Sequence, residues 1–275
     1  MDINILVKKT NYLRKRIMEV GYRTQSGHLS SALSLVEIMT VLYYGGFLNI
    51  NNKNYKDILR NRFIMSKGHA CIIQYIILVD LGLLEEKYLW TFCKPGGILG
   101  AHPDCLKIEG IDASTGALGH GLSFGIGTAI AAKQLEEDFI TYVILGDGEC
   151  QEGSVWEAAL CAGNKYLDNL IVIIDYNKLQ ATDYIDNISS LNPIIDKWKA
   201  FGFDCYKVDG NNIEEVYNTL SKIQLERNGR PKAIIADTLK GKGISIIENR
   251  NGWHGRKPNV REWKEICVEL GIKEE

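Results

Sequence analysis

The sequence lacks a long apolar run, an excess of one charge and a signal peptide. The most apolar stretch, 71–84, is interrupted by Asp80 and is shorter than the roughly 18–20 residues that a membrane-spanning helix needs. The formal net charge is only −2, so no general basic surface is available for nucleic acid or anionic membranes. Residues 1–16 contain no signal-peptide core or cleavage site. We therefore expect a soluble, cytoplasmic protein.

Several familiar motifs are also missing. The seven cysteines are an odd number and form no CxxC pair, which argues against a zinc ribbon or a disulfide scaffold and predicts reduced thiols. No GxxxxGK[ST] segment is present, and no GxGxxG follows the first strand. The sequence therefore disfavours a P-loop nucleotide site and a dinucleotide-binding fold.

What the chain does contain is an alternation of apolar strands and amphipathic helices. The predicted strands are 62–66, 141–145, 170–175 and 233–238, and the predicted helices are 4–24, 32–44, 70–82, 122–132, 154–167 and 212–227. This alternation predicts an α/β fold, in which helices cover both faces of a parallel sheet. Since no linker stands out, we expect residues 1–275 to form one domain.

The stretch VILGDGEC at 143–150 places Asp147 between two glycines, directly after a buried strand. Asn177 closes the next strand, and a right-handed crossover brings both strand ends to one edge of the sheet. Carboxylate and amide oxygens suit Mg²⁺, which commonly completes its shell with phosphate oxygens. Taken singly, Asp147 is equally compatible with a helix cap and Asn177 with a turn. Their spacing favours a metal and phosphate site.

The block GDGECQEGSVWEAALCAGNKYLDNLIVIIDYN at 146–177 resembles the signature of thiamine diphosphate enzymes, and the whole chain is most similar to transketolases. The other matching pieces are SGH (26–28), SKGHA (66–70), GAHPD (100–104), STGALGHG (114–121) and KGKG…WHG (240–255). The resemblance implies the diphosphate-binding domain of the thiamine diphosphate-binding fold.

The resemblance also implies where the cofactor and its metal are held. Mg²⁺ would be bound by Asp147, the side chain of Asn177 and the carbonyl of Leu179. Gly148 would contact the diphosphate, and the turn formed by Gly116, Ala117 and Leu118 would touch the cofactor. Glu152 would be the acid that links active sites across subunits.

All five histidines lie in glycine- or proline-flanked loops, and imidazoles suit the proton transfers of sugar chemistry near neutral pH. By resemblance, His28, His102 and His254 contact the sugar, with His28 and His254 in catalytic roles. His69 lies against the diphosphate, and His254 also contacts the cofactor. His120 departs from the family, which usually has glutamine there.

Transketolases are more than twice this long, and the resemblance implies that the pyrimidine-binding and C-terminal domains are absent from this chain. The glutamate that activates the cofactor belongs to the missing pyrimidine-binding domain. A separate subunit must therefore supply it, and we expect an α2β2 assembly. A basic cluster at Lys240, Lys242, Arg250, Arg256 and Lys257 is left open between a sugar-phosphate contact and a solvated loop.

The prediction is thus the N-terminal subunit of a two-chain transketolase. Such an enzyme transfers a two-carbon ketol unit from a ketose phosphate to an aldose phosphate, as in the pentose phosphate reactions. Three alternatives remain: the α subunit of a 2-oxoacid dehydrogenase, a ketol transferase for an unusual sugar, and a scaffolding subunit without turnover. The combination of SGH, GAHPD and WHG favours a sugar enzyme over the first.

Overall fold

The computed structural model describes residues 2–273. Its centre is a sheet of five parallel strands in the order β1-β2-β3-β5-β4. The strands are β1 (Arg62–Met65), β2 (Thr141–Gly146), β3 (Leu170–Tyr176), β4 (Asp204–Asp209) and β5 (Lys232–Asp237). The predicted parallel sheet is therefore confirmed.

Helices account for most of the remaining regular structure. They are α1 (Ile3–Thr24), α2 (Leu29–Leu33), α3 (Val36–Tyr44), α4 (Ile72–Asp80), α5 (Gly121–Gln134), α6 (Gly153–Asn164), α7 (Ile185–Ile188), α8 (Ile194–Ala200), α9 (Ile213–Ile223) and α10 (Val260–Leu270). Short 3-10 turns occupy Gly68–Ala70, Glu86–Thr91 and Gly148–Gln151. Across residues 2–273, none of the helices combines the length and the apolar character needed to cross a bilayer.

Alternating side chains of the strands enter two separate cores. In β2, Tyr142 and Ile144 pack into the core shared with α1, α3, α4 and α9. Val143 and Leu145 point to the opposite face and pack with α5, α6 and α8. This period of two, with both sets of side chains fully buried, confirms that helices cover both faces of the sheet.

The short helices α7 and α8 were not predicted, and the structure departs from the sequence prediction at three further elements. The edge strand β4 was not predicted; only Val208 among its residues is buried, so its sequence lacks an apolar run. Helix α10 was also missed, although Asn259 and Glu262 form a capping box at its start and Gly271 ends it in a left-handed conformation. The predicted helix 32–44 is instead divided between α2 and α3.

The register of β2 and β3 fixes the position of the glycine-flanked aspartate. Gly146 at the end of β2 lies opposite Asp175 in β3. Asp147 and Asn177 therefore both leave the sheet at its carboxyl-terminal edge. In open parallel sheets this edge is where ligands bind.

Helix α5 offers a direct test of the packing against β2. Gly125 is buried, and a Cβ there would lie 2.4 Å from Cγ2 of Val143. We expect Gly125→Ala to lower the free energy of unfolding by about 1–3 kcal/mol, because the added methyl overpacks the interface between helix and sheet. The measurement is urea unfolding of the purified chain.

Gly127 of the same helix provides the matched control. It is exposed, and a Cβ there would meet nothing within 4 Å. Gly127→Ala should raise the free energy of unfolding by about 0.5–1 kcal/mol through its higher helix propensity. Equal stability of the two variants would contradict the described packing.

Candidate active site

A cavity of about 270 Å³ opens at the carboxyl-terminal edge of the sheet. Its lining comes from the segments that follow β1, β2, β3 and β5, and includes Lys67, His69, Leu118, Asp147, Gly148, Glu152, Asn177, Leu179, Gln180, Lys240 and His254. A larger cleft of about 610 Å³ lies beside β4 and β5, but contains none of the predicted site residues. The smaller cavity is therefore the candidate site.

Asp147 lies at the floor of this cavity and is only 3% exposed. Its Oδ1 accepts a hydrogen bond from the backbone N–H of Gly148 at 2.7 Å, so the residue does cap the 3-10 turn Gly148–Gln151. Its Oδ2 accepts from the backbone N–H of Lys178, which adopts a left-handed conformation with φ 66°. Asp147 thus caps a turn and also holds the loop that carries Asn177.

The charge on Asp147 is costly in this position. Burial, together with the nearby charge of Asp175, raises the pKa of Asp147 to about 6. The two backbone N–H groups and Lys67 act in the opposite direction without cancelling this effect. A cation bound at the carboxylate would favour its ionised form.

Asn177 is held by hydrogen bonds on both sides of its amide. Nδ2 donates to Oδ2 of Asp175 at 3.1 Å, and Oδ1 accepts from the backbone N–H of Leu179 at 3.1 Å. A carbonyl oxygen of this kind has two lone pairs. One therefore remains for a metal ion.

Lys240 lies in the middle of the site. Its Nζ donates to the carbonyl oxygens of Leu179 at 2.6 Å and of Gln180 at 3.1 Å. Burial lowers the pKa of Lys240 to about 8, and the charge of Lys67 adds to this. Lys240 remains mostly charged at neutral pH, so a cation already binds one of the oxygens predicted to hold the metal.

These donors fit a metal and diphosphate pair. The predicted metal ligands are one carboxylate, one amide oxygen and one backbone carbonyl, a hard oxygen set that suits Mg²⁺. No group of three or more His, Cys, Asp or Glu side chains suited to a metal occurs within residues 2–273.

The side-chain amide nitrogen of Gln180, buried beside Gly148, has no hydrogen-bond partner within these residues. An anion bound there would satisfy it.

Three of the five histidines form a cluster at one side of the cavity. The ring centroids of His28, His69 and His254 are separated by 5.2, 5.0 and 5.3 Å. Nζ of Lys240 lies 2.9 Å from Nδ1 of His254. Because an ammonium group only donates, Nδ1 accepts and the ring proton lies on Nε2.

All three rings are held neutral. Burial lowers the pKa of His28 and of His69, and the charges of Lys67, Lys240 and neighbouring histidines lower both further. Burial and the charge of Lys240 lower the pKa of His254 to about 3. Neutral imidazoles can both donate and accept hydrogen bonds near pH 7, as binding of a polyhydroxylated ligand requires.

The turn at 116–118 and His102 adjoin the cluster. Gly116 has φ 145°, and a Cβ there would lie 2.8 Å from Cγ of His102, so the backbone packs directly on this ring. Ala117 and Leu118 are exposed at the rim. A Cβ on Gly68 would lie 2.7 Å from Thr115 Oγ1. The turn therefore packs closely on the segment that carries His69.

The remaining predicted positions differ in exposure. Glu152 is exposed at the rim, and its side chain makes no capping hydrogen bond at the start of α6. His120 is exposed at the start of α5 and makes no capping bond. Among the described residues it has no ring contact with the histidine cluster.

Three buried residues that organise the site were not predicted from the sequence. Lys67 and Asp175 form an ion pair in which the side chains are 2% and 0% exposed. Glu149, 2% exposed, accepts from the Ser66 hydroxyl and from the backbone N–H of Gly119 and Gly146. Lys67 and Glu149 lie within the SKGHA and GDG segments, so their proximity to the motifs was the available signal.

The residues of the basic cluster at 240–257 do not lie together in the structure. Lys240 is 3% exposed and belongs to the cavity. Arg256 pairs with Glu262 and stacks on the ring of Trp253 at 4.1 Å. Lys242 lies 3.6 Å from Glu248. Only Lys240 of these three contributes to the candidate site.

Residues 7–275 match the family model for the transketolase thiamine diphosphate-binding domain. An apulose-4-phosphate transketolase subunit of Phocaeicola vulgatus is 38% identical over 271 residues, which cover 98% of this chain and 95% of that protein. The 6-deoxy-6-sulfo-D-fructose transketolase subunit of Clostridium sp. strain MSTE9 is 36% identical over 265 residues, which cover 96% of each.

The fold is also similar to that of a solved transketolase. The crystal structure of transketolase from Campylobacter jejuni matches with a TM-score of 0.90 and 29% sequence identity. The match covers 99% of this chain but only 44% of that one. The chain thus spans less than half the length of this solved relative.

The neutral histidine cluster can be tested by NMR on the ligand-free chain. We expect His254, whose pKa burial and the charge of Lys240 lower to about 3, to stay neutral from about pH 8 to about pH 5. His28 and His69 should titrate below the usual value of about 6.5, because burial and neighbouring cations lower their pKa. Lys240→Met should raise the pKa of His254 by removing one cation. Titration of His69 or His254 near pH 6.5 in the unsubstituted chain would contradict the described cluster.

The same pKa shifts determine whether the free energy of unfolding rises or falls with pH. Below about pH 6.5 the unfolded chain binds more protons at these histidines than the folded chain does, so the free energy of unfolding falls as pH falls. His254→Gln should make this fall shallower, by well under the limiting value of about 1.4 kcal/mol per pH unit because the ring is partly exposed. Asp147, whose raised pKa acts in the opposite sense, is common to both proteins and cancels in the comparison.

Proposed function

Because the chain belongs to the family of transketolase thiamine diphosphate-binding domains, we propose that it is the N-terminal subunit of a two-chain transketolase. The observation that carries this is the meeting of an acidic, oxygen-rich floor with a neutral histidine cluster in one cavity. The floor suits a metal-bound diphosphate. The cluster suits a sugar.

We assign the cofactor as thiamine diphosphate with Mg²⁺. Asp147, Asn177 and the carbonyl of Leu179 would hold the metal, and Gly148 would approach the diphosphate. When bound, thiamine diphosphate supplies the electron sink that allows the C2–C3 bond of a ketose to break. The buried carboxylate of Asp147, whose pKa is raised to about 6, supports a cation at this position.

The chain's own residues would bind and orient the substrate. His28, His102 and His254 would donate and accept hydrogen bonds with sugar hydroxyls, while His69 would lie nearer the diphosphate. The arrangement of Lys240 and His254 supports a protonated Nε2 on His254, which can donate to a substrate oxygen. A proton passed between Nε2 of His254 and that substrate oxygen, in either direction, would then move only along this hydrogen bond.

A partner subunit would complete the site. The cavity of about 270 Å³ lies just below the range of roughly 300–1,000 Å³ that is usual for small-molecule sites. Glu152 and Leu118 are exposed at its rim, and Phe124 of α5 is 50% exposed nearby along the chain. These features support an interface with a chain that carries the pyrimidine-binding domain, in an α2β2 assembly. Residues 1–275 would then form one diphosphate-binding domain.

The small-residue helix α5 has two roles in this proposal. Gly121 and Gly125 pack internally, where a Cβ would meet Ser66 at 2.3 Å and Val143 at 2.4 Å. Gly127 faces open space and would allow close approach of a partner helix. The lack of a CxxC pair among the seven cysteines supports the cytoplasmic location expected from the sequence.

The substrate is proposed to be a ketose that carries an anionic group. The two similar subunits are named for apulose 4-phosphate and for 6-deoxy-6-sulfo-D-fructose, which supports an unusual sugar as well as a pentose phosphate. The histidine cluster favours a sugar over the 2-oxoacid of a dehydrogenase α subunit, since it supplies several hydrogen-bonding groups for hydroxyls.

The metal assignment predicts a specific loss in Asp147→Ala. We expect Mg²⁺-dependent binding of thiamine diphosphate, measured by calorimetry, to weaken by more than about 100-fold, because loss of a group that merely orients a metal ligand already costs roughly 10–100-fold. Asp138→Ala is the control, since Asp138 is 90% exposed and pairs only at the surface with Arg227. Unchanged affinity in Asp147→Ala would refute the assignment.

The partner proposal is tested by ketose cleavage. Xylulose 5-phosphate, apulose 4-phosphate and 6-deoxy-6-sulfo-D-fructose would each be supplied with Mg²⁺ and thiamine diphosphate. The chain alone should show no turnover, and the chain recovered with its co-purifying polypeptide should cleave at least one ketose. Turnover by the chain alone would overturn the half-site proposal.

A further inference from the structure

Gln180 enters the cavity from the segment that follows β3. Its backbone N–H donates to the carbonyl of Asp183 at 2.9 Å, and its own carbonyl accepts from Nζ of Lys240 at 3.1 Å. The backbone is therefore fixed on both sides. The side chain then lies over Gly148, where a Cβ would be 3.1 Å from Cδ and 3.3 Å from Nε2 of Gln180.

The amide nitrogen of Gln180 is buried and has no hydrogen-bond partner within residues 2–273. Folded proteins rarely leave a buried donor unsatisfied, and such a group in a native structure calls for an explanation. The nearby Gln151 shows the usual outcome, because its amide donates to the carbonyl of Ser189 at 2.7 Å. Gln180 differs because it lines the cavity and its donor, packed beside Gly148, has no partner among the described residues.

The position of this donor indicates the kind of group it would bind. It lies beside Gly148 and lines the same cavity as Asp147 and Asn177, at the end proposed for the metal and the diphosphate. Exchange of the amide oxygen and nitrogen would put an acceptor at this point. Only the orientation with nitrogen there offers a hydrogen bond to an anion.

We infer that Gln180 donates a hydrogen bond from Nε2 to a diphosphate oxygen of the cofactor. The inference rests on the proposed function and adds a residue of this chain to the diphosphate site. The same donor would serve any Mg²⁺-bound diphosphate, with or without the thiamine portion. Inorganic pyrophosphate is therefore a direct probe that needs no partner chain.

The test is calorimetry on the full chain with Mg²⁺, using thiamine diphosphate and inorganic pyrophosphate in separate titrations. Gln180→Leu should weaken binding of both ligands by about tenfold, the effect of one hydrogen bond to a charged group. Gln180→Glu should weaken it further, because its carboxylate repels the anion. Gln134→Leu is the control, because Gln134 is exposed on α5 and does not line the cavity; it should change neither affinity by more than about twofold.

Stability of the ligand-free chain separates a binding role from a structural one. Gln180→Leu removes an unsatisfied buried donor, so its urea midpoint should equal or exceed that of the unsubstituted chain while its affinity falls. A lower midpoint together with lower affinity would overturn the inference, and so would unchanged affinity. If neither the unsubstituted chain nor the chain recovered with its co-purifying polypeptide bound either ligand, the proposed function would fail and the inference with it.

Discussion

The site depends on one buried carboxylate, that of Asp175 at the end of β3. It is fully buried and receives the ammonium of Lys67, the hydroxyls of Ser34 and Thr238, and the amide of Asn177. Burial alone would raise the pKa of Asp175, but the charge of Lys67 and these hydrogen bonds outweigh it and hold the pKa below the usual value. Since an unpaired charge here would be strongly destabilising, the four segments that carry these partners are constrained to one arrangement.

This arrangement determines the chemistry of the neighbouring groups. The hydrogen bond from Nδ2 of Asn177 to Asp175 fixes the orientation of the amide. Its oxygen, Oδ1, then faces away from Asp175 and accepts from the backbone N–H of Leu179. The ammonium of Lys67 lowers the pKa of His69 beyond the effect of burial. The same ion pair thus orients a predicted metal ligand and keeps a ring predicted to lie against the diphosphate neutral.

The parts of the site that could be predicted are those encoded by short segments. Asp147 and Asn177 were found because each ends a strand, and adjacent parallel strands place their ends together. Lys67 and Asp175 are 108 residues apart and meet only through the sheet, so no local pattern identifies the pair. The edge strand β4 was missed for a related reason, since it buries only Val208 and its pairing with β5 is tertiary.

Two glutamates in the loop after β2, three residues apart, lie in opposite environments: one is buried and the other is exposed at the rim of the cavity. Glu149 is buried, and its three donors from Ser66, Gly119 and Gly146 join the loops after β1 and β2 to the turn before α5. Glu152 is exposed at the start of α6 and makes no capping bond. Because the hydrogen bonds to Glu149 fix this loop, Glu152 is exposed at a fixed position. A contact with a second subunit requires a side chain placed in this way.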